Sequence, residues 1–226
     1  MKRKWTAALL ALMLVLALPF SAAAETFSND DFSLTYPDGM YLFTLSTSVD
    51  DPSWALAGIA DPQSELQTMQ DMSGIAQLVS EDGSTTILVQ QQESSQTRQI
   101  FNLGTLSEED QQSFLDGVMQ TKTEDITIEK SYLDVGGQLF YRLLVDGSHE
   151  GQEYHELVYA TIVNGFTLGF NLPGGDESIT QEQDDLLLSI VQSVTFPEIL
   201  EKPASTFTPE SLAITLMLLV LLVLVV

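Results

Sequence analysis

From Phe32 onward the chain is a series of short segments in which apolar and polar residues alternate, punctuated by turn formers and three stretches of helical spacing. Phe32, Leu34 and Tyr36 alternate with Ser33 and Thr35, and Pro37, Asp38 and Gly39 end the run. That pattern predicts a strand and a turn. Residues 41–46 read as its partner, giving an opening hairpin. Asp61 followed by Pro62 predicts a helix start, since the carboxylate can accept from free backbone N–H groups and proline has none to leave unpaired. Gly74 is expected to end that helix. Residues 75–79 and 85–91 flank Asp82 and Gly83 as a second hairpin. Ser107, Glu108, Glu109 and Asp110 open another helix, with Leu115, Val118 and Met119 on one face.

The second half is clearer. Residues 127–132, 139–146, 154–163 and 166–171 are four strand-like runs in succession. Asn164 and Gly165 join the last two; a tight hairpin needs positive φ at both turn positions, which these residues tolerate. Residues 173–176 close the meander. Thr180 and Gln183 then form a capping pair for a helix whose Leu187, Ile190, Val191 and Val194 make an i, i+3, i+4, i+7 stripe. The expectation is an α+β domain, a mostly antiparallel sheet covered by three helices.

Two apolar runs without alternation bracket this domain. Residues 7–18 follow Lys2, Arg3 and Lys4 and lead through Pro19 to Ala22, Ala23 and Ala24. A basic start, a short apolar core and a small-residue site read as a secretory signal peptide over residues 1–24, with an uncleaved N-terminal anchor as the alternative. The second run, residues 212–226, holds seven Leu, four Val and Ile214 and no charge. It favours bilayer insertion by roughly 5 kcal/mol. Fifteen helical residues reach only about 22 Å against a hydrocarbon core of about 30 Å. Three readings therefore stand: a transmembrane helix beginning near Thr208, a chain cut short of a basic tail, or a lipid-anchor signal after Ala204 and Ser205. The expected organisation is signal peptide 1–24, folded domain 25–197, linker 198–210 and membrane segment 211–226. It places the domain on the extracytoplasmic face of the cell membrane.

Charge narrows the choice of partner. All 32 acidic residues follow Ala24, and three of the eight basic residues precede it, so the chain beyond the signal has five bases against 32 acids, a formal charge of −27. Nucleic-acid binding is excluded on that ground, because Lys and Arg supply most of that affinity. A basic protein partner, unidentified, or a cation fits better. With no cysteine, no disulfide framework stabilises about 170 exported residues, and core packing must suffice.

Phe32, Ser33, Leu34, Thr35, Tyr36, Pro37, Asp38 and Gly39 resemble the first strand and turn of PsbP-like domains. Gly137, Gln138, Leu139, Phe140 and Tyr141, the run from Tyr154 to Phe170, and the closing residues 189–196 continue the likeness. The resemblance covers about residues 27–197. It implies an α/β/α sandwich around an antiparallel sheet, used by relatives as a non-enzymatic binding or assembly module. Bacterial relatives look like exported, often lipid-anchored proteins; this chain lacks the lipid-bearing cysteine and has the C-terminal tail instead.

Candidate chemistry is sparse. The two histidines, His149 and His155, lie in one short stretch with Glu153, which on a strand shares a face with His155. Two imidazoles and a carboxylate are credible zinc ligands and define the alternative function, a metal-dependent hydrolase using His149, Glu153 and His155. The spacing is not that of a helical H-E-x-x-H site, and a solvated hairpin tip explains the same residues. The chain contains no G-x-S-x-G elbow, P-loop or EF-hand loop. Trp54, Tyr36, Tyr41 and Phe43 could line a ligand groove or fill a sheet–helix core. Arg142 is expected to pair with Asp146 or Glu156, or to bind an anion. The expectation is a membrane-tethered module with no catalytic residues, no metal and no cofactor; a small-ligand or cation-binding module is a further alternative.

Overall fold

The computed structural model describes residues 24–118, 126–149, 151–175 and 177–203. Residues 1–23 and 204–226 fall outside it, and with them the expected signal core and membrane segment. Among the described residues no helix is long and apolar enough to cross a membrane.

Among the described residues nine strands form two antiparallel sheets. β1 (Ala24–Ser28) pairs with β2 (Ser33–Pro37). The larger sheet has the order β3-β4-β5-β9-β8-β7-β6. Its members are β3 (Met40–Thr44), β4 (Gly74–Ser80), β5 (Thr86–Glu93), β6 (Ile126–Val135), β7 (Gln138–His149), β8 (Gln152–Val163) and β9 (Phe166–Gly175). The four-strand meander and the 81–85 hairpin match the sequence reading. The opening hairpin does not: β2 pairs with β1 and β3 with β4, so the turn at residues 37–39 carries the chain from one sheet to the other. Alternation defines a strand and its inward face, but not which neighbour completes its ladder.

Each of the three expected helices is present. In α2 (Pro62–Asp71) the Asp61 carboxylate accepts from the Ser64 N–H at 3.0 Å. In α4 (Glu108–Gly117) Ser107 accepts from Asp110 N–H at 3.1 Å. In α5 (Gln181–Gln192) Thr180 and Gln183 form a reciprocal capping box. Besides β1, three helical elements lie beyond the sequence reading: α1 (Ser53–Leu56), α3 (Ser95–Ile100), capped by Ser94 and Thr97, and a 3-10 turn (Leu103–Thr105). The α2 helix stops at Asp71 with Ser73 in the left-handed region (φ 57°), so Gly74 opens β4 instead of ending the helix.

The sheet is covered on both faces. On one, Leu187, Ile190 and Val191 of α5 share a core with Leu34 of β2 and with Leu157 and Phe170 of the sheet. Full burial of each such side chain contributes about 1.5–3 kcal/mol. On the other, Ile100, Leu103, Phe114 and Leu115 pack over Tyr141, Leu143 and Ile162. Phe43, Trp54 and Val79 fill the same layer beside α2. The sheet therefore has helices on both faces: a mixed α+β architecture.

Asn164 (φ 50°) and Gly165 (φ 85°) make the expected tight turn between β8 and β9. The register across the sheet puts this turn at the same end as residues 136–137, Glu93, Gly74 and Thr44. The opposite end carries the β7–β8 hairpin, the 81–85 turn and the 37–39 turn. β3 and β6 are the edge strands.

Candidate functional site

Period-two alternation along β7 and β8 sends Arg142, Asp146, His155 and Tyr159 to the face covered by α5. There Arg142 Nη2 donates to Asp184 Oδ2 at 2.7 Å, and the Tyr159 hydroxyl donates to Asp184 Oδ1 at 2.6 Å. Arg142 Nε donates to the Tyr159 oxygen at 3.2 Å. Burial works against the Arg142 charge, but the Asp184 carboxylate outweighs it and holds its pKa above the ordinary value. Burial, reinforced by Asp184, pushes the Tyr159 phenol up to about 12. Asp184 lies in the first turn of α5, where the helix dipole favours a carboxylate. The triad clamps helix to sheet beside a shallow cavity of about 110 Å3 lined by Arg142, Leu144, Ile179, Thr180, Gln181 and Asp184.

The expected partners of Arg142 are thus replaced by Asp184. Asp146 sits four residues along the same strand, about 13 Å away, and Glu156 belongs to the opposite face. Asp184 was legible in retrospect: it continues the Leu187–Val191 stripe one turn back, a carboxylate on an apolar face.

Asp146 pairs with His155 instead. His155 is 9% exposed, and its Nδ1 lies 2.7 Å from Asp146 Oδ1. Its Nε2 is 4.0 Å from Glu153 Oε2, so the structure does bring Glu153 and His155 together. A carboxylate on Nδ1 fixes the ring and turns Nε2 outward, the orientation used both by metal-ligating and by general-base histidines. Position 149 pairs with Gln152, out of step with the Asp146–His155 and Ser148–Glu153 pairs, and therefore belongs to the other row of the pleat. The His149 side chain lies outside the described residues. Among the described residues no group of three His, Asp or Glu side chains is arranged to hold a metal ion. Gly174 lets β9 cross this site: a Cβ there would lie 2.9 Å from His155 Cβ and 3.0 Å from Ile179 Cδ1. On the other face the Tyr154 hydroxyl donates to Glu156, and burial raises the Glu156 pKa against that hydrogen bond.

The aromatic group resolves as core. Phe43 and Trp54 stack with centroids 3.8 Å apart, and Trp54 Nε1 donates to Ser48 O at 2.8 Å. Tyr36 lies in the separate core under α5 and donates to Glu25 at 2.8 Å.

A second polar cluster, unforeseen, sits at the 164–165 end. Asn102, 4% exposed, accepts from Asn164 N–H at 2.8 Å and donates to Leu200 O at 2.8 Å. The Asn164 side chain donates to Glu198 O at 2.9 Å and accepts from Leu200 N–H at 2.8 Å. Lys202 Nζ donates to Gln99 O. The first residues of the expected linker are therefore tied to the domain. Beside them is a cavity of about 380 Å3 lined by Asp30, Asp31, Asn164, Pro197, Glu198 and Leu200.

No protein-family model matches the chain. No curated protein matches it either. Among solved structures, it is similar to cyanobacterial PsbP from Synechocystis sp. PCC 6803, with TM-score 0.43 at 14% identity over 80% of this chain and 96% of that one. The apo immunity protein TplEi of the T6SS of Pseudomonas aeruginosa gives 0.35 at 12% identity, over 87% and 85%. The same immunity protein complexed with "L" peptide gives 0.33 at 11% identity, over 82% and 83%. These scores all fall below one half and assign no family.

Proposed function

We propose that the chain is an exported, membrane-tethered α+β module, PsbP-like in fold, that binds a basic protein partner and catalyses no reaction. The observation that carries this reading is the fate of its positive charges. Among the described residues, Arg98 pairs with Glu93 and Arg142 with Asp184, while Lys202 donates to a main-chain carbonyl. Lys130 donates to Leu115 O at 3.2 Å, to Asp116 O at 3.3 Å and to Val118 O, at the end of α4. These four bases are thus engaged by groups of the chain itself, and most of the described carboxylates face outward. Such a surface attracts cationic partners over a Debye length and repels polyanions. The apolar runs at residues 7–18 and 212–226 support the address.

The test has two readouts on native cells. The protein should sediment with membranes, resist alkaline extraction and be cut by protease added from outside. Photo-crosslinking should capture a discrete basic partner, with a yield that falls as salt rises from about 0.05 to 0.5 M. Intact, unprocessed chain in the cytosol overturns the reading. So does a hydrolytic activity of the purified protein that chelator and His155→Ala both abolish.

A further inference from the structure

We infer that the end of the sheet bearing the Asn164–Gly165 turn faces a lipid bilayer, and that the β7–β8 hairpin end is presented away from it. The inference rests on the tethering just proposed and adds an orientation to it. Its first support is where the chain leaves the domain. Asn102 and Asn164 hold Glu198 and Leu200 through main-chain hydrogen bonds, and Lys202 fastens the segment once more at Gln99. The chain is thus held against the domain well past Pro197, almost to Pro203. From there to Leu212 is nine residues, at most about 30 Å of extended chain. The two asparagines fix the exit point at one end of the sheet.

The second support is independent of the tail. Among the described residues six large hydrophobic side chains are strongly exposed, and four of them are at this same end: Leu45, Met72, Ile199 and Leu200. Leu45 follows β3 and Met72 precedes β4, where both strands reach that end; Ile199 and Leu200 are in the clasped segment. Exposed carboxylates occur at both ends: Asp38, Glu81, Asp82 and Glu153 at the opposite one, Asp30, Asp31, Glu93 and Glu198 at this one. The apolar side chains are what distinguish this end, and they suit a lipid surface. Asp30, Asp31 and Glu198 beside the clasp favour zwitterionic over anionic headgroups.

The chain has no cysteine, so one introduced cysteine labels one position. Gln92→Cys and Gln152→Cys place a donor dye at the two ends, on exposed positions about 33 Å apart along the strands. The full-length chain is reconstituted into phosphatidylcholine vesicles carrying an acceptor dye on the headgroups. Energy transfer to the lipid should be at least about twofold stronger from position 92, given that separation. Ser46→Cys and Ser84→Cys repeat the comparison across β3 to β5 and should give the same order. Equal or reversed transfer in vesicles that carry the protein overturns the orientation and leaves the tethering intact. Failure of the full-length chain to float with the vesicles overturns both.

Discussion

The two ends of the large sheet are built from different chemistry. At the 164–165 end the buried polar contacts are made by neutral amides: Asn102 and Asn164 on the C-terminal segment, and Gln138 on Thr161 at 2.9 Å. From mid-sheet towards the other end they are made by ionisable groups: the Arg142–Tyr159–Asp184 clamp near the middle, then Asp146 with His155 and Tyr154 with Glu156. Amide hydrogen bonds are indifferent to pH, whereas a buried carboxylate is not. One domain thus combines a clasp of neutral amides with a far end where the burial of Glu156 makes stability depend on pH.

The sharpest way to break the comparison is Asn102→Ala. It strands the Asn164 N–H and frees Leu200, and it should cost about 2–3 kcal/mol in urea unfolding. The loss should be the same at pH 5 and pH 8; a loss that changes with pH would erase the contrast. Asp184→Ala comes next, at about 2 kcal/mol, because it leaves the half-buried Arg142 charge without its carboxylate. That figure is below the cost for a fully enclosed pair, since both side chains keep some contact with water.

Glu156→Gln should act in the opposite direction. Burial raises the folded-state pKa of Glu156, so the native state holds its proton more tightly than the unfolded chain. Wild-type stability then falls as pH rises from the ordinary carboxylate range through that raised value. The Gln variant escapes this fall: its melting temperature should match wild type near pH 4 and exceed it at pH 7. The gain should be smaller than either loss above. An advantage that is largest in acid would refute the assignment. Lys202→Met should be the mildest change, within about 0.5 kcal/mol, because its hydrogen bond to Gln99 is exposed to solvent.

The sequence made the framework legible wherever local chemistry determined it. Asp61, Ser107 and Thr180 cap helices as their neighbours predict, and the Asn164–Gly165 turn has positive φ at both positions. Strand pairing was harder. β1 begins at Ala24, inside what reads as a cleavage site, so the sequence alone offers β2 the following strand, β3, as its partner. The polar clusters were least legible, because their members are far apart in the chain. Asn102 and Asn164 are separated by 62 residues, Arg142 and Asp184 by 42. His155 and Glu153 were recognised as neighbours because they alternate on one strand. The sequence offers Asp146 and Glu156 alike as partners of Arg142, and only the β7–β8 register puts Asp146 opposite His155.

The unfinished edges of the ladder bear on crowding. Among the described residues β3 and β6 each have a strand on one side only, and an open row of main-chain donors and acceptors is an invitation to pair with another copy. Confinement to a surface would bring copies edge to edge far more often than free diffusion does. β3 is only five residues long, and β6 exposes Glu129 and Asp134 along its length, so two such rails repel before they can zip together. The excess of carboxylates thus has a second use, as insulation between neighbouring copies of the chain.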